Sequence, residues 1–264
     1  MSRLPITVCM ISGAEERGIA RALASVADWT SETIVVLNDD VRDRTEEICR
    51  RHGAVVVREA WKGYLGQTVS AAAKGSQPWQ LTLDADEAVT PELRREIEAL
   101  FAAPARLESC VAWSMPRRLW FMGRWLRHGD CYPDRKTRLW KRGRAVWGGS
   151  EPHYRLEVDG PVGRLRGDLL HYGVESIGGQ LAKYGRYAEL FRIETAQSGR
   201  RFSRFAIVSR PAWRFLRGYV FRGGFLDGWP GFCYAVMYSI SVFARYARLQ
   251  EAERETAVPR EDSC

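Results

Sequence analysis

Asp84 and Asp86 are the residues whose types and spacing most clearly suit chemistry. They lie in Asp84-Ala85-Asp86-Glu87, directly after Gln80–Leu83, which is predicted to form a strand. Carboxylate oxygens at a strand end suit Mg²⁺ or Mn²⁺. A cation held there would bridge a diphosphate and neutralise the charge on a departing nucleoside diphosphate. Because a D-x-D motif often occurs by chance, a solvated acidic turn before a helix is the alternative interpretation.

The elements that position this motif occupy the first ninety residues, where short apolar runs alternate with helical patterns. Strands are predicted over Ile6–Ile11, Thr33–Leu37, Ala54–Val57 and Gln80–Leu83. Helices are predicted over Glu15–Val26 and Gly66–Lys74, and Thr90-Pro91 supplies an N-cap and a first-turn proline for another. This alternation is typical of βαβ units and a mainly parallel sheet, which binds ligands outside the carboxyl ends of its strands.

The net charge of the chain, +8, is unevenly distributed, and an acid-free segment lies over residues 200–222. Seven arginines lie there with no acidic residue among them: Arg200, Arg201, Arg204, Arg210, Arg214, Arg217 and Arg222. Aromatic residues are interleaved with them, which is typical of an interfacial membrane segment whose guanidinium groups meet lipid phosphates. A solvated basic face is the alternative. Nucleic-acid binding is not expected, because no DNA- or RNA-binding motif accompanies the charge.

Length and composition fit a globular protein, since 264 residues with 45% hydrophobic content can bury a substantial core. The six cysteines form no C-x-x-C pair, and no apolar run typical of a signal peptide opens the sequence. The longest near-apolar stretch, Phe232–Ala244, is shorter than the roughly 20 residues of a spanning helix. We therefore expect a cytoplasmic protein with reduced thiols and no membrane-spanning helix.

Two common phosphate-binding motifs are absent from the sequence. There is no G-x-x-x-x-G-K-[ST] loop, and no G-x-G-x-x-G follows the first predicted strand, which argues against P-loop and dinucleotide-binding proteins. A phosphatase-type pair of aspartates would follow the first strand, whereas Asp84 and Asp86 follow the fourth.

Segments from about Leu4 to Leu249 carry a family resemblance. In the first half they are Ile11–Arg17, Asp43–Ile48, Trp61–Tyr64 with Gln67, and Leu83–Glu87. In the second half they are Gly123–Gly129, Tyr132–Asp134, Arg138–Trp140, Asp159–Gly163, Leu169–Tyr172 and Gly224–Gly228. In this order and spacing they resemble an inverting family 2 glycosyltransferase of the GT-A fold, in the branch of lipopolysaccharide inner-core glucosyltransferases.

The resemblance implies an α/β fold of the GT-A, Rossmann-like type. Its mainly parallel central sheet is flanked by helices, and a C-terminal helical, basic, membrane-proximal extension follows. We divide the chain into a nucleotide-sugar-binding half over 1–105, an acceptor-binding and catalytic half of the same domain over 106–198, and a basic amphipathic helical extension over 199–264.

The resemblance also implies a donor site. Asp84 is expected to contact the donor nucleotide, and Asp86 to ligate the Mg²⁺ or Mn²⁺ that bridges the diphosphate. The other donor-binding candidates are Ser12, Glu15, Asn38 and Gln67. Two positions depart from the family pattern, which has asparagine where Ala14 stands and aspartate where Asn38 stands. An amide can hydrogen-bond a uracil or a ribose, but it lacks the negative charge for accepting two strong hydrogen bonds. The sequence therefore does not identify the nucleotide base of the donor.

Inversion by direct displacement needs a base that takes the proton of the acceptor hydroxyl. Glu151 is the candidate, because the resemblance places an acidic residue before Pro-His in Gly148–His153. The glycines of this segment let a loop approach a substrate closely. His153, Asp130 and Asp134 are the alternatives.

For the remaining polar residues, a packing or surface role is the alternative to ligand binding. Five arginines suit the phosphates of a diphosphate or of an acceptor, although most are expected at the surface or in packing: Arg117, Arg118, Arg124, Arg127 and Arg138. His171-Tyr172 follows an apolar strand and is expected to pack beneath the site.

Together these features imply an enzyme that passes a hexose such as glucose from a nucleotide-diphosphate sugar to a lipid-linked saccharide such as lipopolysaccharide core. It would act on the cytoplasmic face of the inner membrane. A sugar nucleotidyltransferase is one alternative, although it would ordinarily carry a glycine-rich basic loop where this chain has Gly13–Glu16. An inactive membrane- or polyanion-binding module is the other, in view of Ala14 and Asn38.

Overall fold

The computed structural model describes residues 3–149, 154–174, 176–198 and 202–255, and the chain divides into two compact units. The first unit consists of Met1–Leu119 and Pro133–Gly173. The second consists of Trp120–Tyr132 and Val174–Cys264. The chain therefore contributes one short segment to the second unit, returns to the first, and then completes the second.

A parallel group of strands opens the sheet of the first unit. These strands are β1 (Leu4–Ser12), β2 (Thr30–Asn38), β3 (Val55–Glu59) and β4 (Trp79–Thr82). They stand in the order β3-β2-β1-β4, and each neighbouring pair is parallel. The register pairs Ser12 with Leu37 and Cys9 with Thr82, so the carboxyl ends of the strands lie along one edge. The predicted strands are confirmed, with their ends displaced by a few residues.

The later strands make the sheet mixed. They are β5 (Glu87–Val89), β6 (Ala112–Phe121), β7 (Arg124–Trp125), β8 (Asp134–Lys141), β9 (Ala145–Gly148), β10 (Arg155–Val158), β11 (Val162–Arg164) and β12 (Leu169–His171). Beyond β4 the order continues as β8-β6-β12-β5. Strand β8 is antiparallel to β4 and to β6, while β12 is parallel to β6 and antiparallel to β5. Strands β9 and β10 form a separate antiparallel pair.

Five helices accompany the sheet in the described part of the first unit. They are α1 (Ile19–Ala24), α2 (Thr45–Arg51), α3 (Gly63–Lys74), α4 (Pro91–Phe101) and α5 (Pro104–Leu107). Helix α4 begins as predicted, because the Thr90 hydroxyl accepts the N–H of Leu93 at 3.1 Å. Its apolar face, with Ile97 and Leu100, is fully buried. Helix α1 is shorter than the helix predicted over Glu15–Val26.

Strand β1 is buried on both faces, since Ile6–Met10 is a run of five buried residues. Burial of both faces requires a layer on each side of the sheet. On one side Leu23 and Leu93 join the core cluster, and on the other Ala71 packs with Cys9 and Val36. Each large aliphatic side chain buried in this way contributes about 1.5–3 kcal/mol. These layers fix the strand ends that carry the acidic motif.

Three helices form most of the second unit. They are α6 (Ile177–Ser198), α7 (Ala206–Leu216) and α8 (Gly228–Glu255). A π-helical turn, Arg217–Phe221, continues α7, and a 3₁₀ turn, Gly224–Asp227, precedes α8. Helices α6 and α7 both pack on α8. Across the residues that the structure describes, no helix combines the length and the apolar character needed to cross a bilayer.

Asp227 ties the segment Trp120–Tyr132 to these helices. Its Oδ2 accepts the N–H of Arg127 at 2.9 Å and that of His128 at 2.8 Å, and its Oδ1 lies 3.1 Å from His128 Nδ1. The side chain is almost fully buried, so these donors satisfy a carboxylate that water does not reach. Two segments that are far apart in the sequence are thereby joined.

Candidate functional site

The acidic motif forms a tight turn between β4 and β5 at the carboxyl edge of the parallel strands. The N–H of Leu83 donates to Cys9 O at 3.1 Å and so extends the contact of β4 with β1. The turn closes as Glu87 N–H donates to Asp84 O at 2.9 Å and Asp84 N–H donates to Glu87 Oε2 at 3.1 Å. Asp84 and Asp86 keep 39% and 37% of their side chains exposed, whereas Glu87 has none exposed. The two aspartates therefore face solvent, and Glu87 is internal.

Two arginines surround the buried Glu87. Arg138, on β8, places Nη2 2.7 Å from Glu87 Oε1 and 2.5 Å from Asp84 Oδ2. Arg117, on β6, lies 3.2 Å from Glu87 Oε1 and 2.6 Å from Asp134 Oδ2. A buried charge that loses its partner destabilises a protein by about 3–5 kcal/mol. This network therefore holds the acidic turn in place from the sheet side.

The ionisation of the turn follows from burial and from neighbouring charges. Burial raises the pKa of Glu87, and the positive charge of Arg138 opposes that effect. Burial acts to lower the pKa of Arg138, but Asp84 and Glu87 outweigh it and raise the value. Burial acts to raise the pKa of Asp86, but the hydrogen bond and charge of His171, followed by the arginine charges, lower it overall. Asp86 is therefore a carboxylate at neutral pH, which is the form that binds cations.

His171 lies beside Asp86, although the sequence predicted a packing role beneath the site. Its Nε2 is 3.3 Å from Asp86 Oδ2. The contact arises because β12 pairs with β5, which sets His171 opposite Glu87, and because Tyr172 N–H donates to Asp86 O at 2.8 Å. Strands that are distant in sequence bring the imidazole to the turn, and no local pattern signals this position.

Gly173 leaves room for this imidazole. A Cβ atom at position 173 would lie 2.3 Å from His171 Nε2 and 3.1 Å from Asp86 Oδ2. A carbon cannot approach that closely, so any larger residue would displace His171. Sequence reasoning assigned His171 a packing role and did not single out Gly173, although the segment Leu169–Tyr172 was matched to the family pattern.

Asp86 and His171 are the residues that suit a cation. Two neighbouring ligands of an octahedral ion, each about 2.1 Å from it, are about 3 Å apart, close to the separation of Asp86 Oδ2 and His171 Nε2. Nowhere in the described ranges do three His, Cys, Asp or Glu residues form a group that could hold a metal. The remaining positions of such an ion would fall to substrate phosphates and water, as is usual for Mg²⁺.

Other donor-binding candidates lie at the ends of β1 and β2 and on α3. They are Ser12, Asn38 and Gln67. Gln67 Nε2, from α3, donates to Asn38 Oδ1 at the end of β2 over 3.1 Å. Gln67 is fully buried, and its Oε1 finds no hydrogen-bond partner in the part of the chain that the structure describes. Ser12 is buried and donates to Gly13 O at 2.9 Å. The Asn38–Gln67 pair offers amide groups, the type that recognises a base or a ribose.

The loop after β1 lies against the acidic turn. The N–H of Glu15 donates to Thr45 Oγ1 at 2.8 Å, which holds the loop where a first helical turn was predicted. A Cβ atom at Gly18 would lie 3.7 Å from Ala85 O and 3.8 Å from Glu15 Oε2. The Glu15 carboxylate is therefore near the backbone that carries Asp84 and Asp86, on the donor side that the resemblance predicts.

Residues 7–148, which span these strand ends and the acidic turn, match the sequence profile described as Glycosyl transferase family 2. This chain belongs to glycosyl transferase family 2. A relative named as an uncharacterized glycosyltransferase of Rickettsia typhi is 30% identical in an alignment of 255 residues, which covers 93% of this chain and 87% of the relative. The enzyme class expected from the sequence, a nucleotide-sugar-dependent glycosyltransferase, is thereby confirmed.

Two further comparisons bear on the glycosyltransferase. The lipopolysaccharide core biosynthesis glycosyltransferase LpsC of Rhizobium meliloti is 27% identical over 259 residues, covering 93% of this chain and 94% of that protein. A mannosyltransferase from Pyrobaculum calidifontis, solved with GDP-Man and Mn²⁺, has a TM-score of 0.56 at 13% identity and covers 96% of this chain and 88% of its own. The second likeness confirms the α/β fold of the GT-A type.

The base candidates of this glycosyltransferase differ in their surroundings. Glu151 and its alternative His153 lie outside the described residues. Asp134 contacts Arg117 and Lys136. Burial acts to raise its pKa, but these two cations outweigh burial and lower it. Asp130 belongs to the second unit and has only 3% of its side chain exposed. Both aspartates are held by cations, which suits a structural role better than proton transfer.

The predicted phosphate-binding arginines are not gathered at the turn. Arg117 and Arg138 reach it, but there they neutralise Glu87. Arg118 is ion-paired with Asp168. Arg124 and Arg127 belong to the second unit. The three arginines of the first unit are therefore paired with protein carboxylates, which agrees with the packing role expected for most of the five.

Proposed function

We propose that this glycosyltransferase transfers a hexose, such as glucose, from a nucleotide-diphosphate sugar to a lipid-linked saccharide such as lipopolysaccharide core, with inversion at the anomeric carbon. The observation that carries the proposal is the acidic turn, where Asp84 and Asp86 are partly exposed at the carboxyl edge and His171 lies beside Asp86. The similarity to LpsC, whose name assigns it to lipopolysaccharide core biosynthesis, supports the acceptor class.

In this proposal the donor nucleotide is bound by Asp84 and by the hydrogen-bonded pair of Asn38 and Gln67. Arg138 holds Asp84 Oδ2 at 2.5 Å and leaves the other carboxylate oxygen to accept a hydrogen bond from the donor. Asn38 and Gln67, with Ser12 and Glu15 nearby, line the side that takes the base and ribose. Their amide and hydroxyl groups both donate and accept hydrogen bonds, which suits a neutral base edge.

Mg²⁺ or Mn²⁺ would be held by Asp86 and His171. The bound ion supplies Lewis-acid chemistry, since it neutralises the charge that develops on the departing nucleoside diphosphate. Asp86 contributes an ionised carboxylate. His171 contributes Nε2, which binds a metal only without a proton, so the ion would take the place of the hydrogen bond between Nε2 and Asp86. Gly173 keeps the imidazole in that place, because a side chain there would occupy its volume.

Inversion requires a base on the acceptor side. As the acceptor oxygen bonds to the anomeric carbon and the bond to the diphosphate breaks, the base takes the hydroxyl proton. We assign this role to Glu151. Its support is the family resemblance, which places an acidic residue before Pro-His in Gly148–His153.

We infer that the enzyme works as a peripheral protein on the cytoplasmic face of the bacterial inner membrane. A lipid-linked acceptor is presented at that surface. The acid-free, arginine-rich segment over 199–226 supports this location, since arginines among aromatic residues bind anionic lipid headgroups.

The test starts with donor binding. Calorimetric titration with a series of nucleotide-diphosphate sugars and Mn²⁺ should identify one donor that binds, and wild-type protein should then transfer its sugar to a lipopolysaccharide core acceptor. Asp86→Ala should abolish transfer. Pyrophosphate release from a nucleoside triphosphate and a sugar phosphate would instead show a nucleotidyltransferase. Failure to bind any donor would show an inactive module.

A further inference from the structure

The exposed face of helix α7 is apolar. From Phe205 to Phe221, every exposed position except Arg210 carries an apolar side chain. The most exposed are Phe205 at 71%, Phe221 at 69%, Val208 at 65% and Trp213 at 57%. A surface helix normally turns its polar residues outward and its apolar residues inward. Helix α7 instead exposes mainly apolar residues.

The arginines of α7 and its π turn are directed to a buried carboxylate. Asp130, with 3% of its side chain exposed, lies 3.2 Å from Arg214 Nε, 3.4 Å from Arg217 Nη2 and 3.0 Å from Arg222 Nη1. One carboxylate balances one of these three charges. Arg217 and Arg222 keep 37% and 51% of their side chains exposed, so their excess charge is available at the surface.

Aromatic residues extend the apolar face to the start of α8. Phe225 and Trp229 are 51% and 66% exposed. The rings of Trp229 and Phe232 are 5.2 Å apart, and Tyr219 lies 5.6 Å from Phe232 and 6.3 Å from Phe225. These contacts connect the π turn with the N-terminal part of α8. We call the exposed apolar side chains between Phe205 and Trp229 the α7 apolar surface.

The charged residues of the chain segment that carries this surface are cationic. The sequence contains no Asp or Glu between Glu194 and Asp227, and Asp227 is buried. Arg204, Arg210 and Arg222 are exposed in this interval. A surface of one sign attracts a partner of the opposite sign. The partner that binds this surface therefore has to offer both an apolar layer and negatively charged groups.

We propose that the α7 apolar surface docks on an anionic lipid bilayer. Its aromatic side chains enter the headgroup boundary, and Arg217 and Arg222 meet lipid phosphates. This docking rests on the proposed function, whose acceptor is lipid-linked, and adds the surface by which the enzyme reaches the membrane. The shared carboxylate of Asp130 fixes the arginines at that surface, so little side-chain entropy is lost on binding.

A second copy of this chain suits the surface less well. Two identical faces would bring the same exposed arginines together without an acid to oppose them, and like charges at an interface disfavour association. A bilayer supplies both requirements at once, since acyl chains receive Trp213 and Phe221 while phosphates receive the guanidinium groups.

The test is flotation of the full-length protein with vesicles of phosphatidylethanolamine and phosphatidylglycerol, compared with vesicles of phosphatidylcholine alone. Wild-type protein should bind the anionic vesicles and release at high salt. Phe221→Ser should weaken binding about tenfold and Arg222→Gln roughly fivefold. Val146→Ser and Arg95→Gln, at exposed positions of the first unit, are matched controls that should bind like wild type.

Other outcomes would overturn the docking. Equal binding to neutral vesicles, or unimpaired binding by Phe221→Ser, contradicts it. So does a dimer that forms without vesicles and dissociates in this variant. If thermal unfolding shows that Phe221→Ser does not fold, Phe205→Ser takes its place. Donor binding should be unchanged in every variant. Wild-type protein that binds vesicles but no donor would refute the proposed function and leave the docking surface intact.

Discussion

Nε2 of His171 lies 3.3 Å from Oδ2 of Asp86, although β12 and the acidic turn are far apart in the sequence. The contact places an imidazole and a carboxylate at the exposed end of the parallel strands. It also explains Gly173, since a Cβ atom there would meet the imidazole at 2.3 Å. The site of this glycosyltransferase therefore depends on the strand that closes the sheet as well as on the strand that ends in Asp84.

Replacing His171 by alanine should weaken Mn²⁺ binding in the presence of the donor, by roughly tenfold to a hundredfold, because even an outer partner of a metal ligand has an effect of that size. Turnover should fall with it. Calorimetric titration and the dependence of the rate on Mn²⁺ concentration measure both quantities. His52→Ala, at the C-cap of α2, is the control. A His171→Ala variant with wild-type Mn²⁺ dependence would refute the assignment.

Gly173→Ala should reproduce much of that loss without unfolding the protein, because the added methyl group displaces the imidazole. The control is Gly178→Ala in α6, where a Cβ atom would meet no heavy atom within 4 Å. Thermal unfolding and Mn²⁺ titration distinguish the two variants. Equal activity of Gly173→Ala and wild type would show that the position of His171 is unimportant.

Arg138→Met should destabilise the fold by about 3–5 kcal/mol, because Glu87 has no exposed surface and would keep only Arg117 as a cationic partner. Urea unfolding monitored by circular dichroism measures the change. Arg95→Met is the control, since its side chain is 70% exposed and its ion pair is worth about 0–1 kcal/mol. A free energy of unfolding equal to that of wild type would mean that Glu87 is neutral in the folded protein.

Asn38→Ala should raise the KM for the donor roughly fivefold to tenfold and leave kcat nearly unchanged, because one hydrogen bond to the bound nucleotide is lost. Steady-state kinetics with the donor varied measure both constants. Gln77→Ala is the control, because this residue precedes β4 at the opposite edge of the sheet. A large fall in kcat with constant KM would place Asn38 in the chemical step instead.

Glu59 should give the stability a pH dependence in the acid range. Hydrogen bonds from Lys62, Lys74 and Ser70 lower its pKa from 4.5 to about 2. A carboxylate with a lowered folded-state pKa stabilises the protein above its unfolded value, and that stabilisation is lost as the pH falls through the folded value. The difference in unfolding free energy between wild type and Glu59→Gln should therefore shrink from pH 4.5 to about 2. A difference that does not vary with pH would contradict this.

The parallel strands and the start of α4 could be predicted because their signals are local. Apolar runs bounded by helical patterns mark β1 to β4, and Thr90-Pro91 marks a helix start within three residues. The position of Asp84 and Asp86 followed from the strand that precedes them. The start of the predicted first helix was wrong, because the N–H of Glu15 donates to Oγ1 of Thr45, the first residue of α2, and the helix begins only at Ile19.

The rest of the site depends on contacts between distant strands. Arg138 reaches Glu87 because β8 pairs with β4, and His171 reaches Asp86 because β12 pairs with β5. Strand pairing of this kind leaves no periodic signal in one sequence. The burial of Glu87 was equally hidden, since the two aspartates of the same motif are partly exposed. The role of Glu151 stays a prediction, since this residue lies outside the described part of the chain.

Asp227 has a consequence for the time course of biosynthesis. It accepts hydrogen bonds from the N–H groups of Arg127 and His128, which precede it by 100 and 99 residues. A ribosome adding about 5–20 residues per second needs roughly 5–20 seconds to supply that partner. Throughout this interval the segment Trp120–Tyr132 lacks the Asp227 carboxylate to which it hydrogen-bonds, whereas the residues of β1 to β4 have already been synthesised. The nascent enzyme thus acquires its donor-side scaffold well before its second unit can close.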